Sequence, residues 1–500
     1  MAPEEWFHPA RYRPRVETPV GDRWFLRAGV IPFVRGIPDE LPIPHPARPS
    51  PRDVAAAFEA TYERWGVPRS SATRRNLERV ADPETLYVVA GQQPGLFSGP
   101  LYTIYKAVTC IAMADALEHR FERPVVPVFW VAGEDHDLDE VRWARIPGPD
   151  DSEVELRLPW PSDRRPVSDY ILDGSADEVI ELASSALANR RHAGEARALL
   201  ELYRGGSLCA GFARFIEALL GDRGLLIIDP EELRPLAAPL FERVLASPAD
   251  ALARIEAGCE IPRRAGLSPF VRPRLPLFVL VDEGEPSNAK DGTSARRTRH
   301  HLTVVDGDLA IDGDGPPLTA RDIRALFDRD PRRLSAGALL RPLVQSFVLP
   351  TALTIGGPSE IGYFSQLPPL ADLLEVEPPR IGLRLQATVI NGKAARLRSR
   401  LGIGFDTIAR ATSPEELVIR AGDDELEGAG KRLEEAARQL RERIDARGFR
   451  DDARRRLERG YAKAESAIAS LLGRIDRELR QEDEESFAAA RSLWHHLFPG

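Results

Sequence analysis

From Glu84 onward the sequence alternates apolar runs of five to eight residues with glycine turns and amphipathic helical stretches. Runs that are apolar throughout, without polar alternation, belong to strands buried on both faces, and crossover helices between them set such strands parallel. The pattern predicts strands at Leu86–Ala90, Val125–Ala132, Leu225–Asp229, Leu277–Val281 and Phe347–Ile355, and hence an α/β fold with a doubly wound parallel sheet. At 500 residues the chain is long enough for about three domains, or for one such core carrying insertions.

The flanking segments read differently. Residues about 145–200 and 283–345 are polar, proline-rich or charge-dense and fit two insertions between strands of a core spanning 81–385. Residues 1–80, rich in proline and arginine, read as an N-terminal wrapping segment with one helix near Asp53–Trp65, where Val54, Phe58 and Tyr62 recur every four residues. Residues 386–500 form a helical region. From Asp423 it is dominated by Glu, Arg, Ala and Leu, with apolar positions at Leu426, Leu433, Leu440 and Ile444, then Leu457, Tyr461, Ala464, Ile468, Leu471, Ile475 and Leu479. Spacings of three, four and seven suit an antiparallel helical hairpin or coiled coil turning at Gly448; solvated charged helices packed on the core fit the same pattern.

Sixty-eight basic against 77 acidic residues give a net charge of −9, which offers no electrostatic footprint for nucleic acid. Lys106, Lys290, Lys393, Lys431 and Lys463 are the only lysines, so a lysine beside a glycine loop is an informative choice. Cys110, Cys209 and Cys259 lie far apart, match no metal or CxxC spacing and fit a reducing compartment. Met1–Arg15 carries Glu4, Glu5 and arginines where a signal peptide would place an apolar run, and no stretch of 18 apolar residues occurs. The expectation is a soluble cytoplasmic protein with no membrane partner.

Three strings carry candidate chemistry. Gly91-Gln92-Gln93-Pro94-Gly95-Leu96-Phe97-Ser98-Gly99-Pro100 follows a strand and opens a helix expected to bury Leu101, Ile104, Val108 and Ile111, with Tyr102, Thr103 and Lys106 elsewhere on its first turns. Such a helix start can hold a phosphate or carboxylate, although the string is neither GxGxxG nor GxxxxGK[ST], and it also reads as a tight βα turn whose glycines serve geometry. Glu134-Asp135-His136-Asp137 ends the second strand, where an open parallel sheet places its ligand crevice. A histidine between two aspartates can act as general base or bind a nucleotide; an acidic turn capped by Asp137 is the plain alternative. One histidine with flanking carboxylates is not a complete ligand set, so no metal site is assigned. Gly356-Gly357-Pro358-Ser359-Glu360-Ile361-Gly362-Tyr363 repeats the strand–glycine–proline–helix arrangement, with Glu360 and Tyr363 three apart on one side and Gln345 upstream as a binding or bracing group. His300, His301, His495 and His496 read as surface residues, and Cys110 as a passive buried thiol.

Gly91–Lys106, Pro124–Glu140, Leu225–Phe241 and Leu340–Leu367, taken together and in this order, resemble the bacillithiol-biosynthesis cysteine-adding enzyme family (BshC). The resemblance implies a Rossmann-like core with connective insertions, akin to class I synthetase and nucleotidyltransferase cores, and a C-terminal coiled coil that mediates a homodimer. It implies the last step of bacillithiol assembly, joining cysteine to the amino group of glucosaminyl malate. No HxGH or KMSKS-like string is present, and family members are expected to continue past the coiled coil, whereas this sequence stops at Leu497-Phe498-Pro499-Gly500. Two other readings remain: a nucleotidyltransferase acting on another small acid, and a coiled-coil scaffold around a degenerate nucleotide-binding core.

Amide formation from a free carboxylate is uphill in water, so ATP is the expected activator on chemical grounds. In this reading Gly91, Gln92, Gln93, Gly95 and Gly99, with Thr103 and Lys106, hold an anionic group. His136, braced by Asp135 or Asp137, deprotonates the incoming amine or orients the nucleotide. Glu134, Gly356, Gly357, Glu360 and Tyr363 complete the pocket, with Glu360 a candidate for the cysteine ammonium.

Overall fold

In a computed structural model, the structure describes residues 42, 44–148, 153–283, 296–313, 315–385, 392–404, 407–408, 413–414, 416–417, 424–482 and 488–493. The chain divides into two compact units, one within residues 16–386 and the other within 387–500.

The larger unit opens with α1 (Pro51–Trp65) and α2 (Ser71–Val80). Ser50 caps α1 by accepting from the Asp53 N–H, and Val54, Phe58 and Tyr62 face inward as their spacing requires. The α2 helix, which the wrapping-segment reading did not anticipate, is capped the same way by Ser70. Strand β1 (Leu86–Gln92), helix α3 (Tyr102–Phe121) and strand β2 (Val125–Val131) follow. Next come an antiparallel hairpin, β3 (Trp143–Pro147) with β4 (Glu153–Arg157), two helices at Gly174–Leu187 and Ala193–Glu201, and the short core strand β5 (Leu226–Ile228). Strands β6 (Leu277–Glu283), β7 (Arg296–Val305), β8 (Asp308–Ile311) and β9 (Leu334–Ala336) form a second sheet. The chain returns to the core through α4 (Arg341–Val348), β10 (Thr351–Gly356), α5 (Pro358–Phe364) and β11 (Ile381–Leu383).

The core sheet runs β11-β10-β1-β2-β5, with every described pairing parallel. From β1 the chain proceeds outward through β2 to β5, and later returns to the opposite side of β1 to lay down β10 and β11. The strand order therefore reverses between β1 and β10, the position at which open α/β sheets bind ligands.

Several expectations change. Leu277–Val281 is a strand, but it pairs antiparallel with β7 and β9 in the four-stranded sheet β8-β7-β6-β9 and is no part of the parallel core sheet. The 283–345 insertion thus carries most of a sheet of its own. Phe347 and Val348 end α4, because Pro350 forces Leu349 into extended backbone and the strand begins at Thr351. The α3 helix buries Thr103, Lys106, Ala107, Cys110, Ile111, Ala114 and Leu117, whereas Leu101 and Val108 are 49% and 39% exposed. Small Ala107, Cys110 and Ala114 let the helix lie close on β1 and β2, which decides the face against the larger side chains. His300 is buried and His301 half-buried, opposite Val279 and Phe278 across the β6–β7 ladder; His495 and His496 lie outside the described residues. Gln345 is a brace, donating from Nε2 to Thr354 Oγ1 at 2.9 Å. Burial pushes the Cys110 thiol up to about 12, the value of an inert group.

In the smaller unit, α6 (Asp424–Ala446) and α7 (Asp451–Glu482) are joined through Gly448 at φ 66°, a left-handed turn that glycine adopts without strain. The pairs Gly430 with Leu472, Arg441 with Tyr461 and Asp445 with Arg454 run in opposite senses, so the helices are antiparallel. Ile444, Leu457, Tyr461, Ile468 and Ile475 are half-buried, whereas Leu433, Leu440 and Leu471 are exposed. The side chains of Leu426 and Leu479 lie outside the described residues. A small separate cluster gathers Ala394, Ile403, Ile408, Leu417, Ala490 and Leu493.

Candidate active site at the sheet reversal

A cavity of about 770 Å³ opens where the strand order reverses. Its walls come from the carboxyl ends of four core strands: Gly91 and Gln92 at the end of β1 with Gln93 just beyond, Glu134, Asp135 and His136 after β2, Gly357 and Glu360 after β10, and Arg384 after β11. The second sheet closes the opposite side with Phe278 from β6, Arg299 from β7 and Ala336 at the end of β9.

Lys106 is 3% exposed and has no free donor. Its Nζ donates to Gly91 O at 2.9 Å and to Gln92 Oε1 at 2.9 Å, and meets Glu360 Oε2 at 2.5 Å. Burial depresses the Lys106 pKa, with Arg341 and Arg384 adding to the effect against the pull of Glu360. Glu360 in turn accepts from the Gly357 N–H at 2.7 Å and lies 3.8 Å from Arg341. One ion pair therefore ties the end of β1 to the start of α5. Arg341 donates to Tyr363 Oη at 2.8 Å, and burial pushes that phenol up to about 12, so it stays protonated. A Cβ on Gly91 would come within 2.9 Å of the Arg341 guanidinium and 3.3 Å of Trp130 O, so a larger residue here would push that guanidinium aside.

At the end of β2, Asp135 accepts from Gln93 Nε2 at 2.9 Å, from the His136 N–H at 2.7 Å and from Arg299 at 3.3 Å. Burial opposes its ionisation, yet these donors outweigh it and hold its carboxyl below the usual range. The His136 Nδ1 accepts from Arg299 at 3.2 Å and lies 3.6 Å from Asp135, so its partner is the guanidinium and not the expected carboxylate. Burial and Arg299 both lower the His136 pKa. Glu134 is pinned by Arg234 in a buried pair at 2.9 Å. Glu140, also in the wall, is raised by burial and by the nearby Asp137 and Asp135.

Of the sequence candidates, Gly91, Gln92, Gln93, Lys106, Glu134, Asp135, His136, Gly357, Glu360 and Tyr363 converge on this cavity. Gly95, Gly99, Thr103, Asp137 and Gly356 do not line it. Gly95 and Gly99 press backbone on backbone, where a Gly95 Cβ would lie 2.7 Å from Gly99 Cα. Tyr203 locks that loop by donating to Gly95 O and accepting from the Ser98 N–H, each at 3.0 Å. Thr103 is fully buried, Asp137 is exposed, and a Gly356 Cβ would meet Ile381 at 2.7 Å.

The sequence reading missed Arg299, Arg384, Phe278 and Glu140. A signal for Arg299 was present: in Arg296–Val305 the odd positions Arg297, Arg299 and His301 share one face of a strand. That face carries Arg297 to Asp169 and Glu231, and Arg299 to Asp135.

Residues 46–385 match the family model described as bacillithiol biosynthesis BshC, N-terminal Rossmann-like domain. Similar proteins named "Putative cysteine ligase BshC" include one from Salinibacter ruber, 31% identical over 71% of this chain and 64% of that relative. Another, from Heliobacterium modesticaldum, is 30% identical over 84% of this chain and 77% of the relative. A third, from Symbiobacterium thermophilum, is 29% identical over 89% and 76%. The chain thus spans just under two thirds of the length of the Salinibacter protein and about three quarters of the other two.

Proposed function

This chain belongs to the BshC family of bacillithiol biosynthesis, and from that membership we propose that it is a cysteine ligase that joins cysteine to the amino group of glucosaminyl malate in the cavity at the sheet reversal. The observation that carries the reading is the mixed charge of that cavity: guanidinium groups of Arg299, Arg341 and Arg384 stand around the carboxylates of Asp135, Glu140 and Glu360. Such a lining suits a zwitterionic amino acid and a partner bearing both an amine and carboxylates.

The cysteine carboxylate must be activated, and ATP is the proposed source. The Gly95–Gly99 turn faces Tyr203 and Lys106 is saturated, so the phosphates fall to the cationic side chains of the wall, Arg384 foremost. Glu360, the expected partner of the cysteine ammonium, is already engaged by Lys106 and the Gly357 N–H. Glu140 has no Lys or Arg within ion-pair distance among the described residues and takes that role instead. His136 contacts the reacting groups. A homodimer through the α6–α7 hairpin belongs to the same proposal, supported by the exposed Leu433, Leu440 and Leu471.

Incubating the purified chain with cysteine, glucosaminyl malate and ATP should yield bacillithiol by mass spectrometry. Glu140→Gln should raise the KM for cysteine about tenfold or more with a smaller change for the other substrate. No product under these conditions, or turnover of a different acid in its place, would overturn the assignment. Light scattering of the full chain tests the dimer, and a monomeric mass removes it.

A further inference from the structure

We infer that Arg299 fixes His136 as the neutral tautomer with its proton on Nε2, so that His136 meets the reactants as a hydrogen-bond donor and not as a base. This inference rests on the reading of the cavity as the reaction site.

A guanidinium has donors only, so the Arg299 N–H that lies 3.2 Å from Nδ1 requires a lone pair there. Asp135, the one competing acceptor among the described residues, is 3.6 Å from Nδ1, beyond hydrogen-bond reach, and its oxygens already receive three donors. Arg299 has little freedom to turn away. Its Nε donates to Ser335 Oγ at 3.0 Å, its other terminal nitrogen to Ala336 O at 3.4 Å, and its plane sits 3.6 Å from the Phe278 ring centroid. Its backbone N–H is held by Arg164 O at 2.9 Å.

The charged groups facing the imidazole are Arg299 from β7, Arg164 from the insertion, and Asp135 and Asp137 on its own loop, while β6 presents the apolar Phe278. Protonating the ring would set an Nδ1–H against the guanidinium. With Nδ1 covered, the ring has no open lone pair with which to take a proton from an amine. Nε2, which has no protein partner among the described residues, offers an N–H to the cavity. An N–H there suits an oxygen that gains negative charge during acyl transfer, such as the oxyanion of the tetrahedral intermediate. Arg299 is then a positioning residue that acts through His136.

The test has one readout independent of turnover. In the full chain with ¹⁵N-labelled histidine, ring nitrogen shifts of His136 should report a predominantly neutral Nε2–H tautomer at and above about pH 6.5, the ordinary midpoint of the group. Arg299→Met should mix the tautomers and raise the midpoint of protonation. An Nδ1–H tautomer or an imidazolium at pH 7 in the unaltered chain overturns the inference, whatever the activity. For the donor role, the glutamine amide nitrogen stands where Nε2 did but has no basicity. His136→Gln should keep turnover within about tenfold of the parent, while His136→Ala loses about 10²–10³-fold in kcat. Equal losses in both variants would show a base and overturn the donor role. If the tautomer is as stated but His136→Ala turns over normally, the donor role and the placement of the site fail together.

Discussion

After β1, nine residues separate Gln92 from the first residue of α3, whereas after β10 Gly357 alone separates the strand from α5. Both turns share the order strand, glycine, proline, helix. The longer one spends its extra residues on an internal knot, with Phe97 and Ser98 at positive φ, Gly95 against Gly99, and Tyr203 bonded to both sides. Only its ends, Gly91–Gln93 and the Tyr102 and Lys106 side chains of α3, reach the cavity. The shorter turn goes into the cavity wall directly, and its capping carboxylate, Glu360, also neutralises Lys106 from the other turn. Identical punctuation in a sequence thus gives one turn that braces and one that lines, and the number of residues available before the helix decides between them.

The ion pair that joins the two turns should give the largest effect when broken. Lys106→Met strands the Glu360 carboxylate and the Gly91 carbonyl, and should cost about 3–5 kcal/mol in urea unfolding; the added change Glu360→Gln should recover part of it. A loss below 1 kcal/mol would mean that the turns are not coupled. Next, Tyr203→Phe removes both bonds that lock the longer turn and should cost about 1–3 kcal/mol. Gly95→Ala, whose Cβ would meet backbone at 2.7 Å, belongs in the same range, while Gly357→Ala meets nothing closer than 3.6 Å and should stay within about 0.5 kcal/mol. Equal destabilisation by the two alanines would erase the contrast. The smallest effect concerns acid. His136 is held below its ordinary value of about 6.5. Below that value the unfolded chain binds protons that the folded chain refuses, so stability falls as pH falls. His136→Gln should reduce the fall of the urea midpoint as the pH drops below about 6.5, a change that neither turn can supply.

The strands β1, β2 and β5 and the parallel α/β class were legible because uniformly apolar runs such as Val125–Val131 have one plausible home, a layer covered on both faces, whereas the strand order is set by pairings such as β1 with β10 that no run expresses. The buried face of α3 was not. Its outcome turns on how closely the helix approaches the sheet, which Ala107 and Cys110 permit and hydropathy alone does not express. Within the site, the residues at strand ends were found because chain order puts them there. Arg299 was missed because its relation to Asp135 crosses more than 160 positions and depends on how the second sheet docks on the core.

The parallel pairing of β1 with β10 joins Tyr87 to Thr351, some 260 positions apart. During synthesis at about 5–20 residues per second, β1 leaves the ribosome tens of seconds before its partner exists. Over that interval one edge of β1 has no neighbour, and the half-built sheet presents an open row of amides and carbonyls to other chains. The same pairing gives the fold high contact order, so acquisition of the ligand site should lag behind compaction and be the step most exposed to aggregation. A nascent chain arrested before Arg384 would lack a wall of that site, and a chaperone shielding β1 would have its longest work here.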